Sequence, residues 1–104
     1  MLEFLKKLFS SEKPDFAQLI KEGAIIVDVR SKGEYAGGHI RGSVNIPLEK
    51  LGSNVPQLKK RNKPVITCCA SGMRSSSAKS ILKGNGLAEV YNGGGWRSLQ
   101  NKIF

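Results

Sequence analysis

The stretch Pro64-Val65-Ile66-Thr67-Cys68-Cys69-Ala70-Ser71-Gly72-Met73-Arg74-Ser75 decides the fold. Its first half is short, apolar and β-branched, the pattern of a buried strand. Its second half is a run of small residues closed by an Arg and a Ser. After it, Ala78, Ile81 and Leu82 define one apolar face from about Ser75 to Lys83, which predicts a helix. Strand, tight loop and helix form the repeating unit of an α/β domain. In open α/β sheets ligands bind beyond the carboxyl ends of the strands, which is where Cys69 falls. Ala70, Ser71 and Gly72 are small enough for their amides to curl toward the sulfur. The start of the helix adds positive potential, Arg74 adds a cation beside any bound oxyanion, and Ser75 is placed as the N-cap. These features favour a thiolate, so Cys69 is the candidate nucleophile.

Working outward, the same alternation recurs. Asp15 is placed to cap a helix with Phe16, Leu19 and Ile20 on one face, and Gly23 stops it. Ala24 to Val29 is a nearly continuous apolar run and predicts a buried parallel strand. Ser31-x-x-Glu34 is a capping-box pattern for a short helix ending near Gly37-Gly38. Val44-Asn45-Ile46 predicts a short strand closed by Pro47, and Leu48 to Leu51 and Val55 to Leu58 predict helical turns. Beyond the central stretch, Gly84-Asn85-Gly86 ends a helix and Glu89-Val90-Tyr91 predicts a last strand. Asn92-Gly93-Gly94-Gly95-Trp96 then predicts a turn into a terminal helix. The fold expected is α/β, with a small, central, mostly parallel sheet flanked by helices on both faces. It would occupy residues 14–104. Residues 1–13 read as an amphipathic arm and linker: Leu2, Leu5, Leu8 and Phe9 recur at helical spacing, with Lys6 and Lys7 elsewhere on the wheel. The arm is expected to pack on the domain edge.

Composition narrows the function. The chain has 104 residues, enough for one domain with a single core. Hydrophobic residues make up 39% and charged residues 24%, which suits a folded globular protein. The net charge of +9 favours anionic partners. Only Lys59-Lys60-Arg61 and Lys63 cluster, and no aromatic-rich RNA motif accompanies them, so nucleic acid is not expected. No apolar run reaches the roughly 18–20 residues of a membrane span. Lys6 and Lys7 interrupt any secretory-signal core, so the cytoplasm is the expected location. Two adjacent cysteines cannot make a disulfide framework, and no second Cys/His pair points to a metal. Gly93-Gly94-Gly95 lacks the Lys-Ser/Thr that would make it a nucleotide loop, and nothing calls for a cofactor.

Spacing leaves two chemistries open. Cys69 to Arg74 is Cys-x4-Arg, a loop of the size that encloses a single terminal sulfur. Cys68 to Arg74 is Cys-x5-Arg followed by Ser75, the larger cradle for a tetrahedral anion used by phosphatases and arsenate reductases.

At the level of whole motifs the chain resembles a single-domain rhodanese, a sulfurtransferase of the thiosulfate type. The resemblance covers roughly residues 15–101. It rests on Ile26-Val27-Asp28-Val29-Arg30, Glu34-Tyr35, Gly38-His39-Ile40-x-Gly42-Ser43-x-Asn45-Ile46-Pro47, the loop Cys69 to Ser75, and Gly93-Gly94-Gly95-Trp96. It implies that Cys69 is catalytic and that Ala70, Ser71, Gly72, Met73, Arg74 and Ser75 bind the persulfide. Asp28 and Arg30 would hold the loop and neighbouring segments by hydrogen bonds. Thr67 stands where Cys-x5-Arg phosphatases commonly have a His, which favours sulfur transfer through Cys69 over chemistry at Cys68. Strand alternation should turn Cys68 away from the loop. The resemblance implies a small anionic sulfur donor (thiosulfate or a persulfide) and an acceptor such as cyanide or a thiol, including a protein thiol. A rhodanese-like module that only binds partners is the non-enzymatic alternative. His39, the only histidine, is expected to make structural hydrogen bonds, Glu34 and Tyr35 to cap and pack, and Trp96 to pack its helix near the active face. Met73 is placed at the rim of the loop.

Overall fold

The computed structural model describes residues 14–104; the expected arm and linker, residues 1–13, lie outside the described residues. Asp15 caps α1 (Phe16–Lys21), its carboxylate accepting from the Gln18 amide at 3.1 Å. The chain turns at Gly23 into β1 (Ile25–Asp28). Helix α2 (Lys32–Ala36) opens on a complete capping box: the Ser31 hydroxyl accepts from the Glu34 amide and Glu34 reaches back to the Ser31 amide. There follow β2 (Val44–Asn45), a 3₁₀ turn (Leu48–Lys50), α3 (Leu51–Arg61), β3 (Val65–Cys69), α4 (Met73–Gly84), β4 (Val90–Gly95) and α5 (Trp96–Ile103).

The four strands form one parallel sheet in the order β2-β1-β3-β4. Its two faces carry separate cores because successive strand residues point to opposite sides. Ile25, Val27 and Val29, with Val65 and Cys69, pack against Leu51, Val55 and Leu58 of α3 and Ala78 and Leu82 of α4. Ile26, Ile66 and Cys68 pack on the other side with Phe16 of α1, Ile40, and Leu99 of α5. Each fully buried aliphatic side chain contributes about 1.5–3 kcal/mol, so both layers hold the sheet in place. The α/β class, the parallel sheet and the helices on both faces are as the sequence predicts.

Three boundaries differ from the sequence expectation, each for a physical reason. First, α4 begins at Met73, not at Ser75, because Gly72 takes a left-handed φ of 110° and forms the N-cap. Second, β4 continues through the glycines to Gly95 instead of turning after Tyr91. A Cβ on Gly93 would lie 2.7 Å from the Thr67 carbonyl oxygen and 2.8 Å from Leu99 Cδ2, so only glycine lets β4 approach β3 and α5 this closely. Third, α3 is continuous across Pro56, where two separate turns were expected. Leu51, Val55 and Leu58 form its buried face, and that burial offsets the amide bond that proline removes.

Candidate active site

Cys69 ends β3 and is 1% exposed. Its Sγ accepts the Gly72 amide at 2.9 Å. The left-handed Gly72 makes that contact by folding the chain sharply back at the mouth of α4. Helix geometry leaves the amides of Met73, Arg74 and Ser75 without a carbonyl one turn back, so the positive end of α4 lies in this loop. Met73 stands at the rim, 82% exposed. The end of β4 packs beneath the loop: a Cβ on Gly95 would lie 3.0 Å from the Ala70 carbonyl oxygen.

Ser75 is not the N-cap, which Gly72 supplies. It is buried in the first turn of α4, and its hydroxyl donates to Asn92 Oδ1 at 2.6 Å. Thr67 Oγ1 lies 2.8 Å from Ser75 Oγ and 3.0 Å from the Ser75 carbonyl oxygen, and Asn92 Oδ1 also accepts the Gly94 amide. This network clamps the start of α4 to β3 and β4. Thr67 and Asn92 are the residues that sequence reasoning missed here. A buried Thr and an Asn before glycines carry no local signal that they meet a serine on a helix.

Arg74 turns to Glu34 of α2. The contact is bidentate, Nη1 to Oε1 at 2.7 Å and Nη2 to Oε2 at 2.9 Å. The Arg74 guanidinium, with the Ser31 amide, lowers the Glu34 carboxyl to a pKa of about 2, and the pairing raises that of Arg74. The sequence had shown Glu34 only as the capping residue of its own helix.

Asp28 and Arg30 form a buried ion pair at 2.8 Å, with the Arg30 Nε also donating to both carboxylate oxygens. Arg30 further donates to the carbonyls of Glu34 (3.3 Å) and Gly38 (2.7 Å), and its guanidinium lies 4.8 Å from the half-buried Trp96 ring. The pair holds neighbouring segments as expected, but among the described residues none of its side-chain hydrogen bonds reaches the cysteine loop itself. Its hydrogen bonds reach α2 and the turn after it, and α2 in turn reaches the loop through Glu34 and Arg74. Asn45 secures the same end of β1, donating to the Asp28 and Arg30 carbonyls. His39 lies on the exposed side of α2's end, its Nδ1 2.7 Å from the Tyr35 carbonyl oxygen and its ring stacked on Tyr35.

Cys68 faces away from the loop, into the core of Phe16, Ile26, Ile66 and Leu99. Burial, reinforced by Asp28, pushes its thiol up to a pKa of about 12. A cleft of about 160 Å³ lined by Lys59, Lys63, Gly86 and Glu89 opens before β3 and β4, at the end of the sheet opposite Cys69, and contains none of the loop residues. Among the described residues there is no cluster of metal-ligating side chains, and no helix long and apolar enough to cross a membrane.

The sequence profile of the rhodanese-like domain matches residues 12–102. The chain belongs to the rhodanese-like family. YqhL of Bacillus subtilis (strain 168), itself uncharacterized, is 40% identical over 81 residues, which is 77% of this chain and 64% of YqhL. The chain therefore spans just under two thirds of that relative's length. Thiosulfate sulfurtransferase GlpE of Pseudomonas fluorescens (strain SBW25) is 33% identical over 85 residues, covering 81% of this chain and 77% of that enzyme. A solved structure of a rhodanese with anions from E. coli superposes with a TM-score of 0.68 at 31% identity, covering 73% of this chain and 91% of that one.

Proposed function

We propose that this rhodanese-like domain is a sulfurtransferase that works through a persulfide on Cys69. The observation that carries the reading is the Gly72 amide on Cys69 Sγ at 2.9 Å, at the positive end of α4 in a Cys-x4-Arg loop. An N–H aimed at sulfur stabilises a thiolate without needing a separate base. The Cys69 thiolate attacks the outer sulfur of a donor such as thiosulfate. The S–S bond of the donor breaks, its electron pair leaves with sulfite, and a Cys69 persulfide anion forms. A thiophilic acceptor, cyanide or a thiol, then attacks the outer sulfur and returns the Cys69 thiolate. In the second half the Cys69–S bond breaks, its electron pair returns to Sγ and the outer sulfur leaves on the acceptor; anionic sulfur lies at the loop before and after each step, so the same amides and helix terminus serve both halves. The relative named as a thiosulfate sulfurtransferase supports this donor class, and the rhodanese solved with anions supports an anionic one. A protein thiol is included among the acceptors, and a reducing, cytoplasmic setting suits two free cysteines. The opposite orientation of Cys68 favours Cys69 over the Cys68-x5-Arg74 phosphatase or arsenate-reductase chemistry.

Intact mass after thiosulfate treatment tests the proposal. The expected result is a gain of one sulfur atom on Cys69, removed by cyanide with release of thiocyanate. A mass gain that persists in Cys69→Ser, or no gain in the wild type, overturns it.

A further inference from the structure

Glu34 lies forty residues from Arg74 in the chain and ends on its guanidinium. Three features distinguish this contact from an ordinary surface pair. Both carboxylate oxygens are engaged, at 2.7 and 2.9 Å. Glu34 Oε1 also accepts from the Ser31 amide (3.1 Å) and the Ser31 hydroxyl (3.0 Å), so the carboxylate is aimed by its own helix start. That helix is in turn fixed to the buried Asp28–Arg30 pair through the Arg30 bonds to the Glu34 and Gly38 carbonyls. The carboxylate is thus held in place from the core outward. Arg74, for its part, is the second residue of α4, two residues after the Gly72 amide that contacts Cys69.

Arg74 is the cation that the loop offers to an incoming anion, and in this arrangement its charge is already matched. The guanidinium still has N–H groups to donate, because a bidentate carboxylate uses only two of its five. It can orient a sulfonyl or carboxyl oxygen by hydrogen bonding while the pair as a whole is neutral. Attraction that grows with the charge of the donor is lost, and directional hydrogen bonding is kept.

We infer that Glu34, by neutralising Arg74, sets the charge preference of the site, lowering its affinity for dianionic sulfur donors relative to monoanionic ones. Glu34 acts through Arg74 and is a positioning and charge-balancing residue; it does not touch the reacting atoms. The inference rests on the sulfur-transfer reading above.

Glu34→Gln isolates the charge. Gln serves at the third position of a capping box as Glu does, so α2 keeps its start. Its amide oxygen can still accept one Arg74 N–H. Two donors of like chemistry and different charge are compared: thiosulfate, a dianion that leaves as sulfite, and methanethiosulfonate, a monoanion that leaves as methanesulfinate. Thiocyanate formation is followed at fixed cyanide concentration. An unmatched cation near the surface is expected to change KM by about threefold per unit of donor charge. Glu34→Gln should therefore lower KM about tenfold for thiosulfate and about threefold for methanethiosulfonate, with kcat little changed. Arg74→Gln, which leaves Glu34 unmatched, should raise KM in the same charge-dependent order. A merely structural role would move both donors by one factor. Equal factors for the two donors in either folded variant overturn the inference. Absence of any Cys69 persulfide in the wild type instead overturns the sulfur-transfer reading, and the mass measurement distinguishes the two failures.

Discussion

Cys68 and Cys69 are joined by one peptide bond and lie in different cores. Cys68 shares its side of the sheet with Ile26, Ile66, Phe16 and Leu99, and its register partner is Asp28 of the buried ion pair. Cys69 shares the other side with α3 and α4, and its sulfur meets the amide at the start of α4. Neither side chain is exposed, so burial does not separate them. What separates them is the chain that follows. The loop after Cys69 brings the start of α4 onto its sulfur, and among the described residues only Cys69 has a hydrogen-bond donor aimed at its sulfur. On the other face burial without a donor holds the thiol in its protonated form, with a pKa of about 12. The comparison teaches that both faces of β3 are core, and that only one of them adds an amide donor on sulfur.

The most direct way to break that contrast is to change each cysteine in turn. Cys69→Ser should lower thiocyanate production by about a thousandfold, the scale of losing a covalent nucleophile. Cys68→Ser should leave kcat/KM within about twofold and lower the unfolding free energy from urea titration by about 1–3 kcal/mol, the cost of a hydroxyl in an apolar core. A loss of activity in Cys68→Ser comparable with that in Cys69→Ser would erase the distinction.

The Cys68 face can be tested at its ion pair. Asp28 is fully buried against Arg30, so Asp28→Ala leaves a buried guanidinium without its partner and should cost about 3–5 kcal/mol in denaturant unfolding. A cost below about 1 kcal/mol would remove the ion pair from the account of how α2 is held. A smaller effect is expected at Gly93, where an added methyl meets the Thr67 carbonyl, Leu99 and Ile66. Gly93→Ala should cost about 1–3 kcal/mol, as overpacking does. No change in midpoint there would mean that β4 can draw back from β3 without loss.

The smallest effect belongs to Glu34. Its pKa falls from 4.5 to about 2 in the folded chain, so the folded state releases this proton more readily than the unfolded one. The stabilisation is therefore fully present above about pH 4.5 and is lost as pH falls toward 2. Because the pair is exposed, the effect is small and screened by salt. Urea midpoints of wild type and Glu34→Gln should differ slightly at neutral pH and low ionic strength, and converge on acidification. A difference that widens toward pH 2 would contradict the pairing.

Much of this was legible in the chain. The alternation of apolar runs with helical patterns determined an α/β domain with a parallel sheet, because strand and helix periodicities are local properties of the sequence. The capping box at Ser31 and Glu34 and the cap at Asp15 are likewise local, and both stand in the structure. The motifs from Asp28 to Trp96 were enough to place the chain in its family, and period-two alternation was enough to turn the two cysteines apart. The tertiary structure alone decided the partners. Gly72 took the cap that Ser75 was expected to supply, because a left-handed turn brings the helix amide onto the sulfur and frees Ser75 to clamp Asn92. Glu34 met Arg74, and Arg30 held α2 in place of the loop, because these contacts join segments that only the packing of helices around the sheet brings together. Local pattern specifies which elements form and which way their residues face. The charges and donors that surround the Cys69 sulfur come from several elements at once, and only the assembled carboxyl end of the sheet sets them.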